Sequence, residues 1–181
     1  VAGYVGRLIP EKGIETLLDA VAAVPDATAL IVGDGPHRGA LDAHVARLGI
    51  TERVCFTGQR PPVEVAGLMH AMDAFVLPSL TTPEWVEYFG RVLVEGMACG
   101  VPVVGADSGE IAGTIGEAGL VFPEGDARAL GEHLARLRAD DAFRRDLVAK
   151  GRARAAAEFT WEVIAARTVE AYRETVRPGR P

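Results

Sequence analysis

Cysteine is scarce: only Cys55 and Cys99 occur in 181 residues. Each lies in an apolar stretch, which excludes a disulfide framework and a cysteine-built metal knuckle and points to a reducing, cytoplasmic setting. No dense run of Lys and Arg appears, and the formal charge is -6. Nucleic acid is thereby excluded as a partner, since phosphate-backbone binding requires a clustered positive face. No uninterrupted apolar run reaches the roughly 20 residues that span a bilayer, and no charged-then-apolar leader opens the chain. Asp-x-Asp is absent, as are His or Cys pairs at metal-ligand spacing. No metal and no cofactor are therefore expected, and any anionic leaving group must be neutralised by side chains.

What is present is a chain that is 49% hydrophobic, enough for one core. Short β-rich runs alternate with helical ones, the pattern of a parallel sheet covered by helices on both faces. The expected strands are 2–6, 29–33, 54–57, 74–77, 102–105 and 120–122. Between the first two, Ile14, Leu17, Leu18, Val21 and Val24 recur at helical spacing, with Glu15 and Asp19 on the other side. Further helices are expected over 37–48, 63–71, 90–99, 127–138, 141–157 and 161–176, and residues 177–181 read as a tail. The fold class is α/β, a Rossmann-like sheet of about six strands. The chain starts at Val1 directly before a strand, which suggests a boundary between domains and a partner domain upstream, toward which helix 161–176 could pack.

In an open parallel sheet, ligands bind beyond the carboxyl ends of the strands. The first such loop is Gly6-Arg7-Leu8-Ile9-Pro10-Glu11-Lys12-Gly13, where two cations flank a proline-fixed turn and can face one anion. Read alone, it is equally a solvated loop before a helix. A second loop carries Glu87-Tyr88-Phe89-Gly90-Arg91-Val92-Leu93-Val94-Glu95. Gly90 stands at an expected helix start, whose free N–H groups and dipole form an anion site. Glu95 lies about 7.5 Å further along that axis, the span from a phosphate to an attached ribose, while Glu87 precedes the helix. Carboxylates suit vicinal hydroxyls because they accept several hydrogen bonds. Val92, Leu93, Val94, Met97 and Ala98 surround Glu95 in sequence, so it is expected in apolar surroundings, where a carboxylate without a partner is rare.

Gly-Arg-Leu followed by Glu-Lys-Gly, the glutamates seven residues apart around Phe-Gly, and Met97-Ala98-Cys99-Gly100-Val101-Pro102-Val103-Val104 together resemble the C-terminal domain of family 4 glycosyltransferases of the GT-B fold. Residues 32–36, 54–58, 75–79 and 108–111 match that family in order and spacing. The resemblance implies one half of a GT-B enzyme: a nucleotide-sugar-binding domain over 1–176 acting with an N-terminal domain absent from this chain. It further implies a retaining, metal-independent hexosyl transfer from a nucleotide diphosphate sugar to an acceptor glycan, lipid or small molecule, with membrane association through the absent domain. Arg7 and Lys12 would hold the diphosphate, Glu87 the transferred sugar and Glu95 the ribose, with Arg7, Lys12 and Glu87 the catalytic set. Arg60, Phe89, Gly90, Arg91 and Val92 complete the donor site, and 57–60 would line the base. The isolated domain would bind donor but transfer little.

Two other readings share these features: a free-standing nucleotide-sugar-binding module, and a related enzyme of sugar-phosphate exchange or epimerisation. A nicotinamide-binding turn at 33–39 is disfavoured, because its third glycine is one residue late and the loop follows the second strand. His37, His44, His70 and His133 fall on expected helices away from the key loops and are not site residues. Trp85 and Tyr88 crowd the glutamate loop, where they could stack on a base or close the site, and 81–86 is longer and more polar than the common family pattern.

Overall fold

Strands form where β-branched and aromatic residues run for four or five positions between turns bearing glycine or proline. The computed structural model describes residues 1–176; the expected tail at 177–181 lies outside them. The strands are β1 (Ala2–Val5), β2 (Ala29–Val32), β3 (Val54–Gly58), β4 (Ala74–Leu77), β5 (Val103–Ala106) and β6 (Gly119–Phe122). Between them lie α1 (Ile14–Ala23), α2 (Arg38–Leu48), α3 (Pro62–Met69), α4 (Arg91–Cys99) and α5 (Ile111–Ile115). After β6 come α6 (Ala127–Ala139), α7 (Asp141–Glu158) and α8 (Trp161–Val176).

All six strands are parallel, in the order β3-β2-β1-β4-β5-β6. This is the α/β architecture expected, and β4 and β5 read as continuous apolar runs because they are buried on both faces. The strand order reverses direction between β1 and β4, which makes the loops leaving these two strands the place for a ligand.

The expected elements recur with boundaries shifted by a residue or two. Helix α5 is an addition: five residues are too few to show a helical period, and two apolar ends, Ile111 and Ile115, are its only trace in sequence. Helix α1 buries Ile14, Leu17, Leu18 and Val21, while Glu15 and Asp19 pair with His37 and His44 of the α2 segment. Those two histidines thus tie one helix to the next. The turns after β1 and β2 pack backbone against backbone. A Cβ on Gly33, which has φ of 138°, would meet the Gly6 carbonyl oxygen at 1.8 Å, and one on Gly35 the Leu8 carbonyl oxygen at 2.2 Å. These two glycines of the 33–39 turn serve the close approach, whereas a Cβ on Gly39 would meet nothing within 4 Å.

Candidate active site

The loops leaving the strands build two adjoining groups of side chains. The first is an open cleft of about 820 Å³ beyond β1, β2 and β3, walled by α3 and by the face of α4. Arg7, Arg60, Arg91, Val92 and Glu95 line it, together with Gln59, Val65 and Ala66. Arg7 is exposed, and among the described residues it forms no salt bridge, so its charge is available to a ligand. No side chain caps the start of α4 at Gly90, which leaves first-turn N–H groups free for an anion. Arg91 and Glu95 pair one helical turn apart at 3.2 Å, and Arg60 lies 3.7 Å from Glu64.

The second group sits at the carboxyl end of β4. A 3-10 turn, Pro10–Lys12, ends in Gly13 with φ of 59°, where a Cβ would meet the Pro78 carbonyl oxygen at 2.2 Å. This contact presses the cation loop against the exit of β4 and brings Lys12 into an ion pair with Glu87. The buried Ser79 hydroxyl donates to the same carboxylate oxygen, Oε2, at 3.2 Å, and the Trp85 ring lies 4.8 Å from the ammonium. The loop carrying Glu87 is braced from behind. Glu110 N–H donates to the Glu87 carbonyl at 3.0 Å, the Thr114 hydroxyl to the Phe89 carbonyl at 2.6 Å, and Gly109 has no Cβ that would otherwise lie 2.1 Å from the Glu87 carbonyl oxygen.

The two groups are joined by the loops themselves. Residues 7–12 begin in the cleft with Arg7 and end in the second group with Lys12, while 87–95 run the other way, from Glu87 to Glu95. Arg7 and Glu95 thus stand on the cleft side and Lys12 and Glu87 on the β4 side.

Several expectations need correction. Glu95 is not in apolar surroundings: its side chain is 42% exposed, because its apolar neighbours Leu93 and Met97 point to the core while it faces the cleft. Phe89 does not line the cleft; its ring meets Phe159 edge-on, with centroids 5.6 Å apart. Gly90 is buried with φ of 73° and supplies the helix start, although a Cβ there would meet Leu93 and Leu77 side chains at 2.9 and 3.0 Å. Of the 57–60 stretch, Gln59 and Arg60 reach the cleft, whereas the Thr57 hydroxyl donates to the Gly58 carbonyl. Trp85 belongs with Lys12 rather than with the cleft, and Tyr88 is 82% exposed. Ser79 joins the site without having been expected there; its signals in sequence are its place two residues after the buried strand β4 and in the 75–79 stretch.

The polar 81–86 segment is fastened to the β6–α6 turn. Glu124 accepts from the Thr81 amide at 2.8 Å and from the Thr81 hydroxyl at 2.5 Å, and Thr81 and Ser108 hydroxyls are 3.0 Å apart. Burial pushes the Glu124 carboxyl up, but the hydrogen bonds from Thr81 and Ser108 outweigh it and hold the group below its ordinary value. A depressed folded-state pKa stabilises above the unfolded value, about 4.3, and the contribution disappears as pH falls through the lower folded value. Hydrogen-exchange protection of the Thr81 amide is accordingly expected to hold at neutral pH and to be lost only as pH falls beneath the ordinary carboxylate range. Glu124→Gln should reduce it already at pH 7; equal protection in the two proteins would remove Glu124 as the fastener.

A family model described as glycosyl transferases group 1 matches residues 1–154. A GDP-mannose-dependent monoacylated alpha-(1-6)-phosphatidylinositol monomannoside mannosyltransferase from Corynebacterium glutamicum is 36% identical over 170 residues, covering 89% of this chain and 44% of that protein. Among solved structures, sucrose-phosphate synthase from Thermosynechococcus elongatus superposes with a TM-score of 0.86 at 36% identity, over 98% of this chain and 46% of that one. HepE from Anabaena, solved in complex with UDP, gives a TM-score of 0.86 at 31% identity over 96% of this chain and 48% of that one. The chain thus spans less than half the length of these relatives.

Proposed function

Since this chain belongs to the group 1 glycosyl transferases, we propose that it is the donor-binding, C-terminal half of a retaining family 4 enzyme of the GT-B fold that transfers a hexose from a nucleotide diphosphate sugar. The observation that carries the reading is the arrangement of the two loops, each running from the cleft to the Lys12–Glu87 group, so that one extended ligand can meet Arg7 and Glu95 at one end and Lys12 and Glu87 at the other. The nucleoside lies in the cleft, its base against Gln59, Arg60 and the α3 wall, and its ribose on Glu95. The diphosphate lies across Arg7, Lys12 and the start of α4, and the transferred sugar reaches Glu87. The UDP in the HepE complex and the GDP-mannose in the mannosyltransferase's name support a nucleotide-sugar donor.

Cleaving the sugar–phosphate bond places negative charge on the leaving diphosphate and positive charge at the anomeric carbon. Preorganised cations and helix N–H groups stabilise the first, and a metal ion is not needed for that purpose. Glu87 is a binder and positioner: its Oε2 already accepts from Ser79 and pairs with Lys12, which lowers its nucleophilicity and leaves Oε1 for a sugar hydroxyl. Retention then follows a same-face route in which the leaving phosphate helps deprotonate the acceptor. The acceptor, a glycan, lipid or small molecule, binds largely on an N-terminal domain. That domain also packs on α8, which rests on α7 and exposes Trp161 and Tyr172, 83% and 68% accessible. No described helix is long and apolar enough to cross a membrane, and any membrane association runs through the other domain. Cys55 and Cys99 are free thiols, consistent with a cytoplasmic setting.

Thermal-shift titration with UDP, GDP and ADP, each with and without EDTA, tests the reading. One nucleoside diphosphate at 100 times its dissociation constant should stabilise the chain by about 2.7 kcal/mol, to the same extent with the chelator present. No shift with any of them, or a shift abolished by EDTA, contradicts the donor site or its independence of metal.

A further inference from the structure

Arg7 is exposed and lines an open cleft, and a long flexible cation there binds with less loss of conformational entropy if its backbone is held still. The neighbouring residues are held by β2 and the turn after it: Gly6 N–H donates to Val32 at 3.0 Å and Leu8 N–H to Asp34 at 3.0 Å. The Arg7 carbonyl is held from below. Tyr4, on β1, is fully buried, and its hydroxyl donates to the Arg7 carbonyl oxygen at 2.9 Å. Gly6 makes room for that hydroxyl, since a Cβ there would come within 2.6 Å of the phenolic oxygen. A strand residue with an all-apolar role would be phenylalanine; the hydroxyl is buried at a desolvation cost that only a specific partner offsets.

We propose that Tyr4 is a positioning residue for the diphosphate site, fixing the Arg7 backbone from beneath so that the guanidinium is presented to the phosphates at little cost in conformational entropy. Burial, and the negative charge of Glu87, raise the phenol far above its ordinary range, so it keeps its proton and remains a donor at neutral pH. The inference rests on the proposed diphosphate role of Arg7.

Tyr4→Phe removes one oxygen and keeps the ring. Calorimetry on the whole chain, using the nucleoside diphosphate that stabilises it most and the matching nucleoside, should show the diphosphate bound about three- to tenfold more weakly, the scale of one neutral hydrogen bond. Nucleoside affinity should be unchanged. In an Arg7→Ala background, Tyr4→Phe should cause no further loss, because Tyr4 acts through Arg7; a purely structural role would weaken both ligands and add to the Arg7 effect. Melting curves of all variants separate global destabilisation from the local effect. Diphosphate binding that is unaltered in Tyr4→Phe, or equally weakened for nucleoside and diphosphate, or additive with Arg7→Ala, overturns the proposal while leaving the donor site standing. Failure of the unaltered chain to bind any nucleoside diphosphate overturns the donor site and this inference with it.

Discussion

Alanine in place of Arg7 is expected to weaken binding of a nucleoside diphosphate by about 1.5–3 kcal/mol, the scale of charged hydrogen bonds, and to leave binding of the bare nucleoside unchanged. Lys12→Ala should show the same selectivity but at the upper end of that range. The difference comes from the partner each cation has in the unliganded chain. Arg7 stands exposed at the cleft, so its removal deletes an attraction and little else. Lys12 is paired with Glu87, whose side chain is only 14% exposed. Removing it leaves that carboxylate with Ser79 alone, and the remaining negative charge then repels the incoming phosphates. Adding Glu87→Gln to Lys12→Ala should therefore recover part of the lost affinity, a non-additivity expected of residues in direct contact. Calorimetry with five proteins, the unaltered chain, Arg7→Ala, Lys12→Ala, Glu87→Gln and the Lys12→Ala/Glu87→Gln double variant, decides the matter. Diphosphate affinity unaltered in both Arg7→Ala and Lys12→Ala removes these cations from the site, and strict additivity in the double variant removes the coupling between Lys12 and Glu87.

The second large effect separates the two glutamates. Glu95→Gln should weaken the nucleoside diphosphate and the nucleotide sugar alike, each by about 1.5 kcal/mol, because both ligands carry the ribose. Glu87→Gln should leave the nucleoside diphosphate bound as well or slightly better, since the amide no longer neutralises Lys12, while the sugar-bearing donor loses about 1.5–3 kcal/mol. In the complete enzyme, Glu87→Gln should also lower kcat if its contact tightens as the sugar flattens. Folding is a minor confounder for Glu95. Its partner Arg91 is 83% exposed, and exposed pairs one turn apart are worth about 0.3–0.5 kcal/mol. If both substitutions weakened the plain nucleoside diphosphate equally, the carboxylates would not be divided between ribose and transferred sugar, and the donor orientation would have to be reversed or abandoned.

Much of this arrangement was readable in the amino-acid order. The alternation of short apolar runs with helical periodicity located six strands and most helices, because burial on two sheet faces and on one helix face leaves a local imprint. The spacing from Gly90 to Glu95 carried information for the same reason: a helix converts five residues into a fixed distance. The cations of the first loop were likewise visible as a pair flanking Pro10. Where local order misled, the cause was also local. Glu95 has apolar neighbours along the chain, yet at helical pitch Leu93 and Met97 face the core while Glu95 faces the cleft, and Phe89, beside the glutamate, turns toward Phe159 instead.

By itself, then, the sequence determined which segments are strands and helices, which residues carry the charges, and how far apart charges on one element lie, since all of these depend on backbone geometry within a few residues. Only the tertiary structure decided who meets whom. Lys12 and Glu87 are 75 positions apart in the chain and come together because β1 and β4 are neighbours in the sheet and Gly13 presses its loop onto the exit of β4. Ser79, the hydroxyl of Tyr4 beneath Arg7, and the Glu124 fastening of Thr81 likewise appear only after that pairing. Long-range contacts of this kind follow from strand order and from the depth to which each side chain is buried, and no spacing along the chain encodes either.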